Sequence, residues 1–351
     1  MKTICFVLTS FSRYPVGGYK MVFEYANRLS RMGYNVKLYF SNSSAMKQFH
    51  LPEILRRHLA NYLTQKHPHW YKLDAQIEKI SGYDKECEEK LNSIDVVFAT
   101  AALSVESAVR IKAIDKKIYF IQDYETWQVS ESYLHSTYNQ GMTNIVIADW
   151  LKQIVDQYSP KPAVVIPNPI DVNIYRPIIP NIARPAHSVA FLYHQSEHKG
   201  AKYVIEAVQS LRLLYPDIKV KCFGMYKRPD DLPEWIEYTE KASQEKTVEI
   251  YNSVQVFACA TIEEGYGLTG LEAMACGAAL ATTKYKGVFE YADETNALFS
   301  PVRDSNALMA NIKKLFDDEN LRVRISDAGI KNAQKYEWDK AVYKLIEVIE
   351  S

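Results

Sequence analysis

The chain predicts an α/β protein of two parallel-sheet domains, and three observations carry that expectation. Short apolar runs alternate with amphipathic stretches over nearly the whole sequence, the pattern left by a parallel sheet covered with helices. The alternation is broken by a proline-rich, aperiodic stretch at 168–187 and then restarts. The length, 351 residues, exceeds what one core ordinarily fills and suits two domains of roughly 150–180 residues.

In the first half, apolar runs predict strands at 4–9, 36–40, 96–100, 117–121, 144–148 and 163–167, with helices at 19–32, 105–114 and 150–158. Gly33 follows the last periodic residue of the first helix, where a helix C-cap glycine belongs. The opening MKTICFVLTSF reaches Arg13 without a small-residue cleavage site, so it reads as a first strand and not a signal peptide. Residues 41–93 do not fit the alternation. They are polar, helical in pattern and longer than an ordinary connection, and read as a helical insertion in a first domain spanning 1–170.

Proline removes backbone donors and stiffens the chain, so 171–187 reads as an interdomain linker. A second domain, 188–337, follows. Its strands are expected at 188–193, 218–224, 235–239, 254–259, 278–282 and 297–300, with helices at 200–214, 245–252, 304–318 and 320–334. A last helix, 338–351, closes the chain.

Bulk properties exclude some functions. Net charge is zero, which argues against a dedicated nucleic-acid binder. Residues 1–170 carry 20 Lys and Arg against 16 Asp and Glu, the remainder 22 against 26, a mild asymmetry. Cys5, Cys87, Cys222, Cys259 and Cys276 show no paired spacing; four fall within or beside apolar runs and read as small buried hydrophobes in a reducing compartment. No apolar stretch approaches the roughly 20 residues that span a bilayer. A cytoplasmic location is expected. Within 49–72, Arg56, Arg57, Lys66 and Lys72 accompany Phe49, Tyr62, Trp70 and Tyr71. That mixture suits peripheral docking on an anionic membrane, or a solvated helical hairpin beside an acceptor site.

The segment TIEEGYGLTGLEAMACG, 261–277, carries the strongest chemical signal. Glu264 and Glu272 lie eight positions apart, on either side of the Gly265-Tyr266-Gly267 turn. Glycine there permits main-chain N–H groups to converge on a ligand. The run beginning at Leu268 and Thr269 supplies a helix N-terminus, whose free N–H groups and macrodipole favour a phosphate. Apolar strands run into and out of the segment, placing the turn at a strand's carboxyl end, where open α/β sheets bind ligands. A molecule with sugar hydroxyls, a diphosphate and a ribose fits the pattern.

This spacing and setting resemble the Glu-x7-Glu motif of family 4 (group 1) retaining glycosyltransferases, which have the GT-B fold. The resemblance covers most of the chain outside 41–93 and is sharpest over 254–338. It implies two Rossmann-like domains facing across a cleft, with the C-terminal helix crossing back to the first. It also implies transfer of a sugar, with retention, from a nucleotide-diphosphate sugar to a glycan or lipid-linked acceptor. That donor would be a substrate; no cofactor is expected. Glu272 would hold ribose hydroxyls, Glu264 the donor sugar, and Lys199 with the backbone of 266–269 the diphosphate.

Other segments extend the resemblance. Gly17-Gly18 open the first predicted helix directly after a strand-loop, where backbone N–H groups could bind the donor's diphosphate or sugar, as in the family's amino-terminal loop. Lys199-Gly200 resemble its pyrophosphate loop, although His194 stands where an arginine is usual. Neutral histidine donates one hydrogen bond where guanidinium gives a bidentate pair; a protonated His194 would make activity fall as pH rises through about 6–7. A core histidine at a strand end is the competing reading. Asp123, in FIQDYETW, could serve as a base or orient an acceptor, or cap a helix. The Gln-Asp-Tyr-Glu string resembles a bacterial rhamnosyltransferase branch. No Asp-x-Asp metal motif occurs, so metal-independent transfer is expected, with no metal site. Two rivals stand beside this reading. A non-catalytic sugar-nucleotide or glycan-binding module is one. A nicotinamide oxidoreductase is the other, disfavoured because no G-x-G-x-x-G follows the first strand.

Overall fold

A computed structural model describes residues 2–83, 88, 91 and 93–351. The chain divides into two compact units, Met1–Pro167 with Val342–Ser351, and Asn168–Ala341.

The first unit contains β1 (Thr3–Leu8), β2 (Asn35–Ser41), β3 (Glu78–Gly82), β4 (Ile94–Ala99), β5 (Ala113–Ile121), β6 (Thr143–Val146) and β7 (Val164–Val165). They form a parallel sheet in the order β3-β2-β1-β4-β5-β6-β7. The expected first strand lies inside the sheet, five of its six residues buried. The helix Gly17–Arg31 ends as the sequence signals. Gly33 takes φ +96°, its N–H bonds to Ser30 O at 3.0 Å and Tyr34 N–H to Leu29 O at 3.0 Å. That pair of bonds satisfies the last carbonyls through a left-handed glycine.

Residues 41–93 are not purely a helical insertion. They hold the helix Glu53–Lys66 and also β3, the sheet's edge strand. The strand escaped sequence reading because EKISG has no apolar run, and only Gly82 is buried. Charged residues are suited to an edge that must not recruit another chain. Cys87 lies outside the described residues.

The second unit contains β8 (Ser188–Tyr193), β9 (Lys219–Gly224), β10 (Glu237–Glu240), β11 (Val256–Cys259), β12 (Ala279–Thr283) and β13 (Ala297–Ser300), parallel in the order β10-β9-β8-β11-β12-β13. Val189, Phe191, Val256, Ala258, Ala279 and Ala281 pack against Val204, Val208, Leu211, Ile312 and Leu315 of the covering helices. Small side chains on β11 and β12 let the helices close on the sheet.

The stretch expected as a linker is instead strapped onto this unit. Asn181 Nδ2 donates to Gln255 O at 2.8 Å and Gly277 O at 2.9 Å. The guanidinium of Arg184, 3% exposed, donates to the carbonyls of Ile179, Tyr251, Val254 and Cys276 at 2.6–3.0 Å. Proline supplies the breaks in periodicity, but buried polar anchors decide where the segment lies. The last helix, Trp338–Glu350, returns its final residues to the first unit. There Lys2 pairs with Glu350 at 3.0 Å, and Lys116 Nζ bonds Val348 O at 2.7 Å.

Candidate active site

The second unit's strand order reverses between β8 and β11. The loops leaving those two strands lie at the sheet's carboxyl end, the position at which open α/β sheets take ligands. Both loops belong to one tightly interlocked backbone assembly. Ile262 N–H donates to His198 O at 2.7 Å. Gly200 takes φ +67°, and a Cβ there would stand 1.8 Å from Ala260 O. Only glycine permits that approach.

The interlock brings together residues 65 apart in sequence. Lys199 Nζ and Glu264 Oε1 lie 2.6 Å apart, their side chains 22% and 25% exposed. Lys199 ends the short 3₁₀ turn Glu197–Lys199 just before the helix Ala201–Leu214. A small recess beside the pair is lined by Leu192, Cys259, Thr261 and Thr269.

His194 leaves β8 into the same loop. Its Nδ1 accepts the Ser196 N–H at 3.0 Å, so its lone pair is engaged and the proton sits on Nε2. Nε2 lies 3.3 Å from Tyr226 OH. Burial, then the charges of Lys199 and His198, hold His194 below the ordinary histidine range. Of the alternatives the sequence leaves open, these contacts favour a neutral His194 that braces the loop.

The Gly265–Gly267 turn follows Glu264 directly. Gly267 takes φ +91° as the N-cap of the helix Leu268–Ala275, where a Cβ would meet Tyr285 OH at 2.0 Å. Tyr266 is 3% exposed and packs its ring 5.6 Å from that of Tyr291. The N–H groups of Leu268 and Thr269 occupy the helix's first turn, which has no preceding turn to accept from them. Glu272 sits one turn further in. Tyr251 OH donates to its Oε2 at 3.3 Å, and the Tyr175 hydroxyl lies close by. Both tyrosines are buried, and neither was singled out by sequence. Their signal is weak, because Tyr at apolar periodic positions looks like any core residue.

The first unit arranges its expected residues differently. Gly17 and Gly18 open the helix Gly17–Arg31, and the Gln122 amide reaches toward Gly18, 3.3 Å from where a Cβ would stand. Asp123 accepts the Tyr124 N–H at 2.9 Å. It caps no following helix, since the next, Glu131–Thr137, is capped by Ser130. Glu125, just past the end of β5, is 5% exposed. Both its oxygens lie 3.2 Å from the Ala102 N–H, and burial, with Asp123 nearby, pushes it up to about 7.

The helix Glu53–Lys66 exposes Ile54, Leu55 and Tyr62, with Leu51 just before it. Among the described residues no helix is long and apolar enough to cross a membrane.

Residues 185–332 match the family model for glycosyl transferases group 1. A D-inositol 3-phosphate glycosyltransferase of Corynebacterium urealyticum is 25% identical over 183 residues, 47% of this chain and 43% of that relative. An O-antigen chain mannosyltransferase B of Escherichia coli is 25% identical over 112 residues, 32% of this chain and 29% of that relative. The matched stretches thus span less than half the length of either relative. Two solved structures share the fold over the whole chain. Sucrose-phosphate synthase of Thermosynechococcus elongatus has a TM-score of 0.77 at 14% identity, covering 100% of this chain and 98% of its own. Anabaena Alr3699/HepE in complex with UDP-glucose has 0.76 at 15% identity, covering 100% of both. The two parallel-sheet, Rossmann-like units are those of the GT-B fold.

Proposed function

We propose, from the premise that residues 185–332 form a group 1 glycosyl transferase domain, that the chain moves a sugar from a nucleotide-diphosphate donor to a glycan or lipid-linked acceptor. One observation carries this reading. The Lys199–Glu264 pair stands at the switch point of the second sheet, directly before a glycine turn and a helix N-terminus. A cation, a carboxylate and converging backbone donors match the three parts of a nucleotide sugar in order.

In this reading the diphosphate takes Lys199 and the first-turn N–H groups of the helix Leu268–Ala275. Glu264, released from the lysine, accepts from a hydroxyl of the donor sugar. Glu272, held by Tyr251, accepts from the ribose. The bond from the anomeric carbon to the phosphate oxygen breaks with its electron pair on the diphosphate. The acceptor hydroxyl forms the new bond, and its proton leaves to the phosphate oxygen or a base. Catalysis is then positioning plus electrostatic stabilisation of the departing diphosphate, without metal. Retention at the anomeric carbon follows from the family motif. Asp123 orients the acceptor hydroxyl or serves as its base. The relatives' names add inositol phosphate and mannose chemistry to the candidate substrates.

The exposed Leu51, Ile54, Leu55 and Tyr62 lie among Lys47, Arg57 and Lys66, with Glu53 as the nearby acid. This face suits an anionic bilayer carrying a lipid-linked acceptor.

The deciding experiment measures nucleoside-diphosphate release from UDP-, GDP- and dTDP-sugars, with a lipid-linked or oligosaccharide acceptor, with and without EDTA. Acceptor-dependent release that survives EDTA is expected. Binding without release under all acceptors would make the chain a sugar-nucleotide binding module instead. Restoration by Mg²⁺ would overturn metal independence alone.

A further inference from the structure

Behind the glycine turn lies a hydrogen-bonded pair of buried tyrosines that the reaction described above does not use. Tyr285 and Tyr291 are each 2% exposed. Their hydroxyl oxygens lie 2.8 Å apart, and Tyr291 OH lies 2.8 Å from Gly267 O. A carbonyl only accepts, so the Tyr291 proton points to Gly267 and Tyr285 must donate to Tyr291. The chain therefore has a fixed direction: Tyr285 O–H to Tyr291 O–H to the Gly267 carbonyl. Burial raises both phenols well above the ordinary tyrosine range, so both stay donors throughout the physiological range.

The pair is fitted closely to the turn. A Cβ on Gly267 would lie 2.0 Å from Tyr285 OH, and one on Gly270 would lie 2.5 Å from Tyr291 OH. Gly287, between the tyrosines in sequence, braces the turn from its other side, with Gly265 O only 2.7 Å from its Cβ position. Asn332 and Asn296 in turn hold the Tyr291 carbonyl. Gly267 O also accepts from Gly270 N–H at 3.1 Å. The carbonyl that receives the relay belongs to the same peptide unit as the Leu268 N–H, the first donor of the helix. A proton held on a peptide oxygen draws charge toward that oxygen and strengthens the N–H of the same unit, as in any cooperative hydrogen-bond chain.

We propose that Tyr285 and Tyr291 are positioning residues that orient and polarise the Gly267–Leu268 peptide, so that its N–H grips the donor's diphosphate. This rests on the donor site proposed above. It adds a specificity device: the relay strengthens binding of the diphosphate and leaves the nucleoside untouched.

The test is calorimetric. Wild type is titrated with UDP, GDP and dTDP, and the tightest of these is compared with its own nucleoside. Tyr291→Phe should weaken the diphosphate roughly three- to tenfold, the worth of about one hydrogen bond, while nucleoside affinity stays unchanged. Tyr285→Phe keeps the Tyr291–Gly267 bond and loses only the upstream donor, so it should weaken the diphosphate about twofold. It also keeps the proposal testable if Tyr291→Phe does not fold. The double variant should fall no less than Tyr291→Phe. Equal losses for diphosphate and nucleoside would mark the tyrosines as packing only and overturn the proposal, as would unchanged diphosphate affinity. A wild type that binds the diphosphates while the variants do so equally well overturns this inference alone. A wild type that binds none overturns the donor reading and this inference with it.

Discussion

The two sheets share the order 3-2-1-4-5-6 over their first six strands, yet their switch points are built from opposite materials. At β8 and β11 the loops lock backbone to backbone, glycines stand where any Cβ would collide, and an ion pair faces the recess. At β1 and β4 the corresponding helix opens on Gly17, whose Cβ position meets nothing within 4 Å. A buried carboxylate, Glu125, replaces the ion pair. Exposed aromatics, Tyr14 and Trp127, stand on the loops of that unit at 72% and 73%. One fold thus supports a tightly interlocked, ion-paired switch point in one unit and a less crowded, aromatic-flanked surface with a buried carboxylate in the other, because function resides in loops grafted onto the sheet.

The largest effect should come from breaking the ion pair. Lys199→Ala should cost on the order of 3–4 kcal/mol in kcat/KM, and donor affinity should fall with it, since the ammonium offsets charge developing on the diphosphate. Glu264→Gln should lower kcat about a hundredfold while nucleoside-diphosphate affinity, measured by calorimetry, survives. Turnover unchanged in either variant would remove these residues from the reaction.

Glycine substitution sharpens the contrast between units. Gly267→Ala must place a Cβ against Tyr285 OH at φ +91°, and should lose about 2–3 kcal/mol of stability along with donor binding. Gly17→Ala has room for its methyl and should stay within about 0.5 kcal/mol of wild type in denaturant unfolding. Equal losses would show that the two switch points are equally constrained.

Glu125 gives the first unit its own pH dependence. Its folded value of about 7 lies above the unfolded carboxylate range, so the folded state holds an extra proton between them. Stability should therefore be greatest below about 4.5 for this group and fall as pH rises through 7, by an amount on the order of 2–3 kcal/mol. Glu125→Gln keeps an acceptor for Ala102 N–H and should flatten that slope in unfolding experiments at pH 5 and 8.

The smallest effect is expected at His194. Already neutral, it should add no step to the activity profile near pH 6–7. His194→Asn, which can still accept from Ser196 N–H, should stay within about threefold of wild-type kcat/KM. A pH step that disappears in this variant would restore a charged role.

The sequence by itself determined the fold class, nearly every central strand, and the placement of Glu264, Gly267 and Glu272 on one strand–turn–helix unit. Apolar periodicity and glycine are local signals, and the chemistry they encode is local. It did not determine β3, whose polar edge carries no burial pattern, nor the strap at 168–187, whose course follows from Asn181 and Arg184 meeting carbonyls far along the chain. The tautomer of His194 was also out of reach, because a hydrogen bond from Ser196 sets it. Only tertiary structure paired Lys199 with Glu264 and joined Tyr285, Tyr291 and Gly267 into one directed chain. Such contacts depend on where separate loops are carried by a sheet, and a linear sequence specifies that position only through the packing of the whole unit.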